Sequence, residues 1–159
     1  MAVRVGSISW LPKLLPQIVW ADVHLQWITH GRLTLLDVAG LPTLMLTVVG
    51  RRTGVPRQSP LLCVPYGKTY LVAGSNFGGQ SEPAWALNLQ VALSGTVRIK
   101  GRTSSFTARL VPTPEREAMW HHMVDTWPNF AKYQERTTRT IKVFELTIPD
   151  GVPARRHLR

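Results

Sequence analysis

Residues 95–111 alternate strictly between apolar and polar positions. Val97 and Ile99 stand against Thr96, Arg98 and Lys100, and Phe106, Ala108 and Leu110 stand against Ser105, Thr107 and Arg109. Side chains at every second position of a strand share a face, so this pattern folds as a sheet with one face buried and the other wet. Gly101-Arg102 between residues 95–100 and 103–111 makes a tight turn, which predicts an antiparallel hairpin. Parallel pairing needs a crossover of about a dozen residues or more, and none fits here.

The rest of the chain extends that pattern. Short apolar runs bounded by turn residues predict strands over 43–49, 58–65, 69–75 and 141–148. Residues 82–93 read as a short helix, with Ser81 as its N-cap and Pro83 in its first turn. Thr113-Pro114-Glu115 opens a second helix with a cap, a proline at the first position and an acid in the first turn. Trp120, Met123, Val124 and Trp127 give that helix one apolar face, and Pro128 interrupts it before a helical piece over 129–136. Leu11, Leu15, Val19, Val23 and Trp27 recur at steps of four, so residues 11–30 read as an amphipathic helix with Pro16 at its start or at a kink. The chain is thus read as an α+β domain, with about six mostly antiparallel strands in a sheet or barrel and flanking helices. Residues 1–30 form an N-terminal helix, 31–150 the domain and 151–159 a basic tail.

Composition limits the partners. The 159 residues carry a net charge of +10, and arginine supplies 14 of the 19 basic residues. That balance favours an anionic partner, and arginine favours one held in a fixed orientation. Apart from Arg51–Arg57 and the tail Arg155-Arg156-His157-Leu158-Arg159, the basic residues are dispersed, which argues against nucleic acid. Cys63 is the single cysteine, so no internal disulfide or cysteine-rich zinc site forms. Its apolar neighbours predict a buried, inert thiol, and a reducing cytoplasm fits. No run approaches the roughly 20 apolar residues of a membrane span. Trp10, Trp20 and Trp27 nonetheless suit a peripheral membrane contact through residues 1–30 as an alternative to packing within the domain.

No acid–base pair, phosphate-binding glycine motif or metal-ligand spacing appears among the five histidines and nine carboxylates. What remains is three segments. The first, Gly50-Arg51-Arg52-Thr53-Gly54-Val55-Pro56-Arg57-Gln58-Ser59-Pro60, displays three arginines between two strands, and their planar donors suit phosphate or carboxylate. The second, Gly74-Ser75-Asn76-Phe77-Gly78-Gly79, lets a backbone approach a ligand closely and precedes a helix N-terminus. The third is Pro83-Ala84-Trp85-Ala86-Leu87-Asn88-Leu89. Asn88 has a poor local reason to sit inside a helix, which points to a hydrogen-bonding task, with tertiary packing as the alternative. A ligand with an anionic end and an aromatic body would use all three.

In this order and at this spacing, from Leu41 to Pro149, these segments resemble the deazaflavin-dependent nitroreductases, also described as coenzyme F420-dependent quinone reductases, of actinobacteria. Tyr133 and Thr138-Arg139-Thr140-Ile141 extend the resemblance. It implies the split β-barrel known from flavin-binding oxidases, and hydride transfer from reduced coenzyme F420 to a quinone-like or nitroaromatic acceptor. It assigns Arg51, Arg52, Thr53, Gly54 and Arg57 to the phosphate and polyglutamate tail. Pro60 and Leu62 would run along the cofactor, and Gly74, Ser75, Asn76, Ala84, Trp85 and Asn88 would hold the deazaflavin. Some relatives carry lysine at the place of Asn76, and reducers of bicyclic nitro compounds carry tyrosines at the places of Trp127 and Phe130.

Hydride transfer is the cofactor's chemistry, which accounts for the missing acid–base motif. Trp127, Phe130 and Tyr133 would wall a flat acceptor. Tyr133 and Ser75 are the hydroxyls that could donate a proton, Tyr133 having packing as its alternative. A non-catalytic deazaflavin carrier, or a flavin- or haem-handling protein on the same barrel, remains the competing reading. The assembly is a monomer or a homodimer.

Overall fold

In a computed structural model that describes residues 43–149, the alternating segment forms the expected hairpin of β5 (Ser94–Ile99) and β6 (Arg102–Leu110). Ile99 pairs with Arg102. The turn is therefore Lys100-Gly101, one residue earlier than expected, and both residues take positive φ (50° and 79°). Two consecutive left-handed residues make the turn whose twist matches that of the flanking strands.

Around this hairpin lie β1 (Thr43–Val49), β2 (Pro56–Leu62), β3 (Val64–Tyr66), β4 (Thr69–Ala73) and β7 (Val143–Thr147). The helices are α1 (Ala84–Ala92), α2 (Thr113–Thr126) and α3 (Asn129–Glu135), and Asn76–Gly78 form one 3₁₀ turn. The described residues thus hold seven strands rather than about six. The expected strand over 58–65 breaks at Cys63. β2 pairs with β1, while β3 pairs with β4.

That break closes the fold. The strand order is β2-β1-β5-β6-β7-β4-β3, with every pair antiparallel. β2 and β3 lie at opposite ends of this order, yet one residue joins them. A flat sheet could not span that distance, so the sheet curls into a half-barrel. Cys63 sits at the join, free and buried.

Strand alternation sorts the apolar residues into two cores. Leu44, Leu46 and Val48 of β1, Val72 of β4 and Phe144 and Leu146 of β7 face one core, closed by Ala86 and Leu89 of α1. Leu71 and Val143 face the other, with Met119, Trp120 and Met123 of α2, then Trp127, and Phe130 and Tyr133 of α3. Arg109 fastens α2 to the sheet: its guanidinium donates to Glu145 Oε2 at 2.7 Å and to both oxygens of Glu115 at 3.1 and 2.6 Å.

Two caps differ from expectation. Ser81 and Thr113 do not cap their helices, because α1 is preceded by Pro83 and α2 by Pro112, neither offering a side-chain acceptor. Proline is tolerated there because the first helical N–H groups have no intrahelical partner. The helix expected over 11–30, the membrane contact placed on residues 1–30 and the basic tail lie outside the described residues. Among the described residues, no helix is long and apolar enough to cross a membrane, and no cluster of His, Cys, Asp or Glu could hold a metal ion.

Candidate cofactor-binding site

The arginine loop is a tight closed turn between β1 and β2. Gly50 N donates to Val55 O at 2.8 Å, and Gly54 N to Gly50 O at 2.8 Å. Gly54 takes a φ of 68°, in the left-handed region that glycine occupies at no steric cost. A Cβ on Gly50 would lie 2.9 Å from Thr53 Oγ1, so the turn closes too tightly for a side chain there. Arg51, Arg52 and Arg57 are exposed. Among the described residues no carboxylate pairs with any of them, whereas Arg109 and Lys142 both have acidic partners. Two guanidinium groups on one short turn and a third at the start of β2, without carboxylate partners among the described residues, make an arrangement suited to an anion.

Asn88 fixes one of them. Its side chain is buried on α1, and Oδ1 accepts both Arg51 N at 3.1 Å and Arg51 Nη1 at 3.0 Å. The polar residue that had no local reason to be helical is thus the clip between loop and helix.

The glycine loop reaches the same helix. A Cβ on Gly74 would lie 3.2 Å from the Cβ of Ala86 and 3.7 Å from Pro83 Cδ. Glycine therefore lets β4 pass close to the start of α1. Lys142 ties the segment just before that helix to its last turn, with Nζ 2.9 Å from both Glu82 Oε1 and Gln90 Oε1. α1 thus holds the arginine loop through Asn88 and the glycine loop against Ala86. Ala84, Trp85 and Asn88 are spaced to share one face of the helix. Ala84 is exposed; Trp85 is half-buried, its ring centroid 6.1 Å from that of Phe144.

The glycine loop is unusual in its backbone. Ser75 is right-handed (φ −73°, ψ −35°), and Asn76, Phe77 and Gly78 follow with φ of 47°, 53° and 82°. A right-to-left-handed step turns successive N–H groups toward one side, a concavity suited to an anion or a carbonyl oxygen. Its carbonyls are held from behind. Arg139 donates from Nη2 to Gly74 O (2.9 Å) and Ser75 O (3.0 Å), and from Nε to Gly79 O (3.1 Å). Asn76 Nδ2 donates to Ser81 O at 3.2 Å.

Of the expected acceptor wall, all three members are buried: Trp127, Phe130 and Tyr133 are core residues, exposed by 3% or less. The Tyr133 ring meets the glycine loop at Phe77, ring centroids 5.6 Å apart. Its hydroxyl has no hydrogen-bond partner among the described residues, and burial pushes its pKa up. The indole N–H of Trp127 and the charge of Arg136 partly offset that shift, although the indole falls short of hydrogen-bond geometry. The phenol therefore keeps its proton at neutral pH. Ser75, the other expected donor, is half-buried in the loop itself. Pro60 and Leu62 lie farther along β2, half-buried, opposite Met45 and Thr43. His121 and His122 are exposed, and His122 Nε2 lies 2.8 Å from Pro65 O, away from the loops.

Arg139 lies inside the stretch that carries the resemblance, which assigns it no role, and nothing in the sequence marks Gln80 or Gln134. Gln80 Oε1 accepts from Thr137 Oγ1 and Thr138 N, and Gln134 Nε2 donates to Arg139 O at 2.8 Å. These are contacts between distant segments, and only the Arg139 motif itself carried a signal.

The curled seven-stranded sheet with its two loops on one helix is the split barrel of F420-dependent reductases. The chain belongs to the F420H(2)-dependent quinone reductase family, whose model matches residues 22–147. It is 29% identical over 122 residues, 75% of this chain and 82% of the other, to the F420H(2)-dependent quinone reductase Rv1261c of Mycobacterium tuberculosis. Among solved structures it resembles an F420-H2 dependent reductase, FDR-A, with a TM-score of 0.60 and 30% identity, covering 66% of this chain and 93% of that one. A second, described as a domain-swapped dimer, gives a TM-score of 0.63 and 28% identity, covering 80% and 96%. Family membership implies coenzyme F420 as the cofactor and an F420-dependent reductase activity.

Proposed function

We propose that this protein transfers a hydride from reduced F420 to a quinone-like acceptor, with nitroaromatic compounds as a secondary class. The observation that carries the reading is the pair of loops on α1, one with three arginines that have no carboxylate partner among the described residues and the other with a right-to-left-handed backbone step at Ser75-Asn76. This donor set fits a cofactor with a phosphate and carboxylate tail at one end and a polar aromatic ring system at the other.

Bound reduced F420 would supply the hydride. Arg51 and Arg52, on the turn shaped by Thr53 and Gly54, and Arg57, at the start of β2, would bind its anionic tail. Asn88 orients Arg51 toward that task. Gly74, Ser75 and Asn76 would hold the deazaflavin end, with Ala84 and Trp85 flanking it and Pro60 and Leu62 along its length. Shielding the ring from water would protect the hydride from loss to solvent. The Ser75 hydroxyl, half-buried in the loop, would donate a hydrogen bond to the acceptor oxygen that gains the hydride's charge and pass it a proton, regaining one from water. Burial of Trp127, Phe130 and Tyr133 favours packing behind Phe77 over direct contact with the acceptor. That same burial favours, as the second reading, a carrier that binds F420 without turnover.

The dimeric structural relative supports a homodimer for this chain. A peripheral membrane contact through residues 1–30 rests on their tryptophans alone, and equal sedimentation of full-length and truncated protein with liposomes would exclude it. The main test mixes the protein with reduced F420 and a naphthoquinone and follows the return of oxidised F420 fluorescence. Turnover supports the reductase. Tight binding without turnover of any quinone or nitro compound would leave the carrier.

A further inference from the structure

We infer that Arg139 is a positioning residue for the cofactor, acting by holding the glycine loop in its ligand-receiving shape. The inference rests on the proposed role of that loop and adds a part of the machinery that does not touch the cofactor.

The fork of Arg139 reaches three carbonyls of a loop about sixty residues earlier in the chain: Gly74 O, Ser75 O and Gly79 O. A planar guanidinium can serve three acceptors in one fixed arrangement, and an ammonium group cannot reproduce it. Those carbonyls flank Asn76, Phe77 and Gly78, all at positive φ. Non-glycine residues persist there only when their surroundings over-determine them. Arg139 supplies that constraint from one side. Arg136 adds a bond from Nη1 to Phe77 O at 3.3 Å.

The arginine is itself braced. Gln134 Nε2 holds the carbonyl of Arg139, while Gln134 Oε1 accepts from Arg116 Nη2 at 3.2 Å and Ile141 N at 3.1 Å. Gln80 Nε2 donates to Arg136 O at 3.1 Å, and its Oε1 receives Thr137 and Thr138. The guanidinium therefore sits at the end of a network running from α2 through α3. Its Nη1 is buried with no partner among the described residues. The side chain is committed to the loop even at the cost of one unsatisfied donor. With the Gly74 and Ser75 carbonyls taken by Arg139, and Gly78 N and Gly79 N bonded within the loop, the amides of Ser75 and Asn76 have no hydrogen bond among the described residues and are the ones a ligand can engage.

The test compares wild type, Arg139→Ala and Arg139→Lys by hydrogen exchange without cofactor, F420 fluorescence titration and thermal melting. Expected in Arg139→Ala is exchange of the Gly78 and Gly79 amides, which donate to Ser75 O at 2.9 Å and Asn76 O at 2.8 Å, faster by about tenfold or more, with β4 amides unchanged. Its affinity for F420 falls by about tenfold or more, and added guanidinium restores part of it. Arg139→Lys, which reaches fewer of the three carbonyls, falls between the two and provides the measurement if the alanine variant does not fold. Unchanged loop exchange in both variants overturns the inference, as does a loosened loop with wild-type F420 affinity. Failure of wild type to bind F420 overturns the functional reading and this inference with it, a result distinct from variants that bind as wild type does.

Discussion

Replacing Asn88 by alanine severs the clip between the arginine loop and α1 while leaving all three arginines in place. Two bonds to Oδ1 are lost, one from Arg51 N at 3.1 Å and one from Arg51 Nη1 at 3.0 Å. A neutral bond contributes about 1 kcal/mol net and one to a charged group about 1.5–3 kcal/mol. Arg51 is exposed, so water takes over both donors in the variant and the loss lies near the low end, about 1–2 kcal/mol. For a domain of this size each kcal/mol moves the melting temperature by about 2–4 °C, so Asn88→Ala melts about 2–8 °C lower. If the loop must be ordered to receive the cofactor tail, the same loss appears in binding, where about 1.4 kcal/mol is tenfold in Kd. F420 fluorescence titration and a thermal melt, run in one buffer, give both numbers. Asn88→Asp separates order from charge. Its carboxylate can accept both bonds but neutralises Arg51, so the melt recovers while F420 affinity stays low. An Asn88→Ala variant that binds F420 within about twofold of wild type would refute this coupling of loop order to affinity.

Three further outcomes follow from particular contacts. Gly78→Ala places a Cβ 2.7 Å from both Arg136 Cβ and Tyr133 O at a φ of 82°, so it destabilises by about 2–4 kcal/mol and shows as a lowered melting temperature. Tyr133→Phe removes a buried hydroxyl without a hydrogen-bond partner, so its stability stays within about 1 kcal/mol of wild type and its kcat is kept, whereas Ser75→Ala lowers kcat by about tenfold or more. Arg109 holds the Glu115 carboxyl below its usual range, first through the hydrogen bond between them. A depressed carboxyl contributes stability that is present above its unfolded pKa and lost as the pH falls through the folded one. Stability therefore declines on acidification below the ordinary carboxylate value of 4.5, and melts at neutral and acid pH show a smaller decline for Glu115→Gln.

Much of this architecture was legible in the sequence. Alternation of apolar and polar residues located β5 and β6, because a half-buried strand imposes a period of two. Asn88 announced itself by breaking helix preference, and its burial against Arg51 explains why. The apolar run from Leu61 to Pro65 gave no sign of crossing from one sheet edge to the other at Cys63. That break comes from curling of the whole sheet, which no local window contains. Ser81 and Thr113 looked like caps because their neighbours had the right types, yet proline precedes each helix. The hydrogen bonds of Arg139 run to backbone carbonyls, which have no residue type, so its task left no pattern to read. Trp127, Phe130 and Tyr133 read as a wall for a flat acceptor because aromatic residues serve walls and cores alike, and their spacing gave no sign of how deeply they are buried.

Arg51 and Arg52, on a turn held by α1, are the proposed anchor of the anionic tail of F420. The most direct measurement is an F420 fluorescence titration of wild type against the Arg51→Ala/Arg52→Ala double variant over a range of salt. Saturable binding by wild type that weakens with salt, and a Kd higher by about a hundredfold in the double variant, is the predicted result. Equal affinity in the two proteins, or none in wild type, would contradict it.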